Sequence, residues 1–191
     1  MKYHQLSSKI WLIEGFCTPI ECQGLIELSE DQGYVRADVN LPGGAKIVKG
    51  IRNNKRAIYM NTDLVQAYWS RLRPYCPPVI GDWVAIGLHE RLRFYKYQSG
   101  ERFKRHIDGH TQRNTNEKSF ITFMIYLNDD YQGGHTIFDE VDIKPQTGMA
   151  LCFMHAQKHE GSVIESGIKY VLRTDVMYQN KNSEIELDTS C

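Results

Sequence analysis

The chain has 191 residues, 41% hydrophobic and 24% charged, and its 23 basic and 23 acidic side chains give a formal net charge of zero. Those proportions suit one globular domain with a sizeable core and exclude disordered and fibrous classes. Charge balance disfavours a nucleic-acid coat or a polybasic membrane binder, both of which work through an excess of Lys and Arg.

No stretch approaches the roughly 18 apolar residues of a membrane span, and "IWLI" near the start is too short for a secretory core, so no membrane association is expected. The five cysteines, at 17, 22, 76, 152 and 191, form no CxxC pair. Free thiols in a reducing, cytoplasmic setting are the expectation.

Thr18-Pro19-Ile20-Glu21 is a capping box with proline at the first helical position, which predicts a helix to about Asp31, stopped by Gly33. Leu25, Ile26 and Leu28 give it an apolar side. Residues 33–60 carry Pro42-Gly43-Gly44 and Lys49-Gly50 in otherwise extended sequence, which predicts a β-ribbon with a mobile tip. A second helix is expected from Thr62 or Asp63 to Arg73, burying Leu64, Val65, Tyr68, Trp69 and Leu72, with Pro74, Pro77 and Pro78 ending it.

From Val84 onward the period changes to two. "LHERLRFYKY" reads as one strand with Arg91, Arg93, Tyr95 and Tyr97 facing inward and Leu92 and Phe94 opposite. "SFITFMIYL" sets Ile121, Phe123, Ile125 and Leu127 against Phe120, Thr122, Met124 and Tyr126. "GHTIFDE", "GMALCFM" and "KYVLRTDVMY" are three further strands, with turns at Gly133-Gly134, Pro145 to Gly148 and Gly161 to Gly167. Helices ahead of many short strands indicate an α+β, mainly β class: a β-sandwich or small barrel with helical buttressing. The division is helical support and ribbon over about 1–83, core over about 84–180 and a polar, frayed tail over about 181–191, all in one domain.

In the last strand Lys169, Val171 and Arg173 share a face. Buried cations require an anion to offset desolvation, so this face either lines a ligand cavity or is a solvated edge. In His106-Ile107-Asp108 an imidazole and a carboxylate two residues apart can grip one cation from the same side. A second imidazole, from His155 or His159, would complete two His and one carboxylate, which suits iron with open positions and also zinc. His110 and His135 read as loop histidines.

These residues resemble the Fe(II)- and 2-oxoglutarate-dependent dioxygenases, in their prolyl 4-hydroxylase-like branch. The likeness runs from about Leu88 to Tyr178, through "RFYKYQSGERFKRHIDG", "FMIYLNDDYQGGHTIF", "GMALCFMH" and "HEGSVIESGIKYVLRTDVMY". It implies a double-stranded β-helix (distorted jelly roll) core buttressed by N-terminal helices. It implies that His106, Asp108 and His159 bind Fe(II), the last chosen because Lys169 follows it by ten residues. Lys169 then holds the far carboxylate of 2-oxoglutarate, with Arg173 as the rival anchor, while Tyr97, Tyr126 and Thr136 line the same pocket. The implied reaction couples O2 and 2-oxoglutarate, decarboxylated to succinate and CO2, to hydroxylation of an unactivated C–H, with ascorbate as a candidate reductant.

Substrate residues carry no motif. Arg91, Arg93 and Tyr95 flank the HxD strand, and the ribbon contributes Arg52, Asn53, Asn54 and Arg56. A peptide or protein side chain such as proline is the expected target; a free amino acid or small metabolite, a catalytically silent binding module and a zinc hydrolase are the alternatives. Arg91, Arg93, Lys96, Arg102, Lys104 and Arg105 form a basic run that raises nucleic acid, but no nucleic-acid motif accompanies it. Oligomeric state has no signature in the sequence.

Overall fold

Thr18 opens the first helix as the capping box dictates. Its hydroxyl accepts from the Glu21 amide at 3.2 Å, and the Glu21 carboxylate accepts from the Thr18 amide at 2.8 Å. Cys17 and Cys22 flank the cap at the two positions where apolar side chains staple a helix start, and both are buried. The helix, α1 (Pro19–Gln32), stops at Gly33, whose φ of 76° suits glycine. Asn61 caps the second helix, α2 (Thr62–Leu72), which buries Val65, Tyr68 and Leu72 and keeps Leu64 and Trp69 half-buried against the core.

The computed structural model describes residues 1–37, 39–41, 44–46 and 52–184. Before α1 lies a hairpin of β1 (Lys2–Ser7) and β2 (Ile10–Glu14), which the sequence pattern does not announce. Between the helices come β3 (Val35–Arg36), β4 (Val39–Leu41), β5 (Gly44–Lys46) and β6 (Lys55–Met60). The expected ribbon is present as the β4–β5 pair, while its tip at 42–43 and 47–51 lies outside the described residues. After α2 follow β7 (Val79–Ile80), β8 (Trp83–Leu88), β9 (Arg91–Gln98), β10 (Phe103–His106), β11 (Gln112–Asn114) and β12 (Glu117–Tyr126). The chain continues through β13 (Gln132–Gly133), β14 (Thr136–Phe138), β15 (Asp142–Ile143), β16 (Ala150–Met154), β17 (His159–Gly161), β18 (Ile164–Ser166) and β19 (Ile168–Asn180). The expected tail ends in a short 3-10 turn at Lys181–Glu184, and the rest of it is outside the described residues.

The fold is a double-stranded β-helix of two facing sheets. The larger runs β1-β2-β16-β12-β19-β9-β6-β3, with β7, β8 and β11 attached, and the smaller runs β10-β17-β14-β15. Alternation along the larger sheet divides the core in two. Trp11, Ile13, Phe94, Phe123, Ile125 and Leu172 face the helices, while Leu12, Tyr95, Leu151, Phe153 and Val171 face the smaller sheet. The helices therefore brace the back of the sheet whose front lines the site. Among the described residues no helix is long and apolar enough to cross a membrane.

Three local expectations fail for backbone reasons. The expected single strand over 88–97 is broken at His89-Glu90, where the chain bulges between β8 and β9 while both remain paired to β19. A bulge between Ser119 and Ile121 in β12 returns Phe120 to the helix side, against Trp83 and Tyr178, and turns Ser119 inward. The expected turn at 161–167 contains β18, paired to β13.

Gly148 joins the helix start to the core. Its carbonyl accepts from the Cys17 amide at 3.0 Å, its φ is +77°, and a Cβ there would lie 2.0 Å from the Cys17 carbonyl oxygen. Gly148→Ala is expected to destabilise the fold by about 3 kcal/mol, since it combines a strained φ with a backbone clash. In thermal denaturation the midpoint should fall by roughly 6–12 °C. An unchanged midpoint would show that the loop relaxes freely.

Candidate active site

β10 and β17 are antiparallel neighbours with His106 directly opposite His159, so the two imidazoles meet across the strand pair with ring centroids 4.3 Å apart. Asp108 lies just past the end of β10, where its amide donates to the His155 carbonyl at 3.2 Å. The ligand atoms of His106, Asp108 and His159 all lie within 4.8 Å of one another. Each Nδ1–H donates to a backbone carbonyl, His106 to Lys104 at 2.8 Å and His159 to Gln157 at 2.9 Å, which leaves Nε2 aimed at the shared space.

The protonation states suit a cation. Burial pushes the His159 imidazole down to about 4, so it is neutral near pH 7. Burial opposes ionisation of Asp108, but the Arg173 guanidinium outweighs it and holds the carboxyl well below its usual range. Thr122 Oγ1 donates to Asp108 Oδ2 at 2.6 Å, and Arg173 Nη1 donates to Oδ1 at 2.8 Å. Two imidazoles and a fixed carboxylate make a donor set that fits Fe(II).

His155, the rival ligand, stands behind this cluster. Its Nε2 contacts Ser119 Oγ at 2.8 Å and its Nδ1 contacts Thr122 Oγ1 at 3.0 Å, so both ring nitrogens are engaged. Ser119 reaches it only because of the β12 bulge. His110 is exposed and His135 bonds Asp142, as expected of loop histidines.

A cavity between the sheets runs from the His106–Asp108–His159 cluster to Lys169, passing Tyr97, Thr136 and Val171. Lys169 Nζ donates to the Gly134 carbonyl and lies 5.1 Å from the Tyr126 ring centroid and 5.9 Å from those of Tyr97 and Tyr131. Burial alone pushes its ammonium down to about 7, and no carboxylate among the described residues pairs with it. Tyr126 and Thr136 hydroxyls share a 2.7 Å hydrogen bond, while the buried Tyr131 hydroxyl is without a partner. A buried cation without a carboxylate partner in the cavity wall, beside the Thr136 hydroxyl, fits the far carboxylate of 2-oxoglutarate, whereas Tyr126 and Tyr131 stand behind Lys169 and do not line the cavity. Tyr131 has no motif of its own; its only signal in the sequence is its position just before the Gly133-Gly134 turn.

Arg173, the alternative anchor, is committed elsewhere: it bonds Asp108 and reaches Asp175 Oδ1 at 3.3 Å. Asp175 also holds Arg93 and accepts from Thr111 at 2.8 Å. Arg93 and Tyr95 face inward as expected, but Arg91 is exposed, because the His89-Glu90 bulge lifts the start of β9 to the cavity mouth. Arg52 is buried between the Tyr95 and Phe103 rings.

Residues 92–174 match the model of the 2OG-Fe(II) oxygenase superfamily. No curated protein matches the chain. Among solved structures it is similar to a viral collagen prolyl hydroxylase of Paramecium bursaria Chlorella virus-1, with 21% identity, TM-score 0.64 and coverage of 91% of this chain and 97% of that one. A Trichoplax adhaerens prolyl hydroxylase, solved with a hypoxia inducible factor peptide, is 18% identical at TM-score 0.69, covering 96% and 89%. A Pseudomonas putida prolyl-4-hydroxylase is 15% identical at TM-score 0.66, covering 90% and 94%. The cluster of two imidazoles and a carboxylate lies within the matched segment, so residues 92–174 carry the 2OG-Fe(II) oxygenase pattern on a fold similar to that of prolyl 4-hydroxylases.

Proposed function

We propose that this enzyme hydroxylates a prolyl residue within a peptide or protein. The observation that carries the reading is an open groove over the metal cluster, bounded by residues 52–56, 89–95 and 107–111 and continuous with the cavity at Tyr95, Phe103, His106, Asp108 and Arg173. A groove open to solvent admits a segment of chain, whereas a free amino acid needs only a closed pocket. Likeness to prolyl hydroxylase folds, one of them solved with a peptide, supports the same reading.

In this reading His106, Asp108 and His159 hold Fe(II), and Lys169 holds 2-oxoglutarate with help from Thr136. When bound, metal and co-substrate supply the oxidation in which O2, 2-oxoglutarate and a C–H become succinate, CO2 and a C–OH. The protein's part is positional. Thr122 and Arg173 fix the Asp108 carboxylate, the Nδ1–H bonds fix both imidazoles, and the apolar wall of Met124, Phe153, Ile164 and Val171 keeps bulk water from the co-substrate. No nucleophilic Ser or Cys is required.

Residues 1–191 form a single catalytic domain in this reading, which is supported by helices and cavity lying on opposite faces of one sheet. A reducing, cytoplasmic setting is supported by the free, buried thiols of Cys17, Cys22, Cys76 and Cys152. The test is a panel of prolyl peptides assayed with Fe(II), 2-oxoglutarate and ascorbate, read by succinate and by peptide mass. A gain of one oxygen on proline is the expected result; oxidation confined to free amino acids would overturn the peptide reading.

A further inference from the structure

Five arginines, 52, 56, 91, 93 and 173, line the open groove, against one carboxylate, that of Asp108. Two of the five are neutralised from behind. Arg173 is shared between Asp108 and Asp175, and Arg93 is held by Asp175. Arg52 and Arg91 have no carboxylate partner among the described residues.

Arg52 is the unusual one. It is 5% exposed, with its guanidinium 4.3 Å from the Tyr95 ring centroid and 4.5 Å from that of Phe103. Its Nε donates to Asn54 Oδ1 at 2.6 Å, but its buried Nη2 has no partner. Phe103 in turn stacks on His106 with ring centroids 3.5 Å apart, so the guanidinium stands one ring away from the metal cluster. Burying a cation with an unused N–H is costly unless an anion arrives to complete it. Two flat rings hold the guanidinium in place, and its unpartnered Nη2 is the N–H that a carboxylate entering the groove would complete.

Building on the peptide reading, we propose that the substrate carries an acidic side chain next to the oxidised residue, and that Arg52 receives this carboxylate with Arg91 at the groove mouth as the second cation. A polyphosphate strand fits less well, because the basic run of the sequence is dispersed in space. Lys96 turns to Glu30 and Arg105 to Asp139, which leaves a localised cationic spot instead of a track.

The experiment is anaerobic equilibrium binding to the Fe(II)·2-oxoglutarate holoenzyme. The probes are labelled prolyl peptides flanked by Asp or Glu, their Asn or Gln counterparts, a Lys-flanked set and a single-stranded oligonucleotide. The acidic peptides should bind at least tenfold more tightly than the amide counterparts, and the advantage should shrink with salt. Arg52→Gln should bring the two sets level. Because Arg52 is buried, the exposed Arg91→Glu variant provides a second arm: it should lose acidic preference and gain affinity for the Lys-flanked set. Equal binding of acidic and neutral peptides by the unaltered enzyme would overturn the proposal, as would preference for the oligonucleotide. Admitting O2 afterwards separates the two readings. Tight acidic binding with no oxygen gained by proline would leave the anion site standing and remove the prolyl reading; hydroxylation of neutral and acidic peptides alike would do the reverse.

Discussion

His159→Ala is expected to abolish stoichiometric Fe(II) binding and to reduce succinate formation by more than ~1,000-fold, while His155→Ala keeps the metal. Both histidines are buried and only four residues apart, so the contrast isolates what each ring does. His159 offers a free Nε2 to the space it shares with His106, and removing it leaves one imidazole and one carboxylate, too few donors for a stable site. His155 has both nitrogens bound to hydroxyls and acts on the metal only through Thr122 and Asp108. Loss of such an outer partner typically costs about 10–100-fold in metal affinity or activity. Anaerobic Fe(II) titration of both variants, with circular dichroism as a check on folding, reads the difference directly. Metal lost from the His155 variant and retained by the His159 variant would reverse the ligand assignment.

Lys169→Met should weaken 2-oxoglutarate binding about 10–100-fold, the worth of one charge-assisted hydrogen bond in a buried site, without removing Fe(II). The pH dependence carries a sharper signature. Burial holds the free ammonium at about 7, so above that pH the enzyme must take up a proton to meet the dianion. Affinity should be flat below about pH 7 and fall roughly tenfold per unit above it. Calorimetry in two buffers of different ionisation enthalpy should reveal proton uptake near pH 8, absent from the Lys169→Met variant. Arg173→Gln should behave differently, disturbing the metal through Asp108 more than the co-substrate. A flat profile in the unaltered enzyme, or co-substrate loss confined to the Arg173 variant, would move the anchor to Arg173.

Much of this was legible because the relevant signals are local. The helix ends follow from the Thr18 capping box and Gly33, and the two faces of β9, β12 and β19 follow from the period of two. HxD pointed to a metal site, and the resemblance to prolyl 4-hydroxylases, with its basic residue ten positions after the distal histidine, chose His159 and Lys169. What escaped depends on long-range pairing or bulges. β2 is buried on both faces, so "IWLI" shows no alternation, and its place beside β16 is set by a partner some 140 residues away. The β12 bulge reverses Phe120 and Ser119, a slip that no pattern in "SFITFMIYL" announces. The dispersal of the basic run depends on Glu30 and Asp139, contributed by distant segments. Arg52 was a weak candidate by sequence, and its meaning comes from two aromatic rings that only the fold assembles around it.

The central claim is that one buried cavity joins a metal held by His106, Asp108 and His159 to a co-substrate held by Lys169. The most direct measurement is an anaerobic titration of the protein with Fe(II) and 2-oxoglutarate, followed by O2 and quantitation of succinate. The account predicts one equivalent of each bound, 2-oxoglutarate dependent on the lysine and not on the substrate, and succinate released only after O2 is admitted. Tight Fe(II) binding with no affinity for 2-oxoglutarate would contradict it.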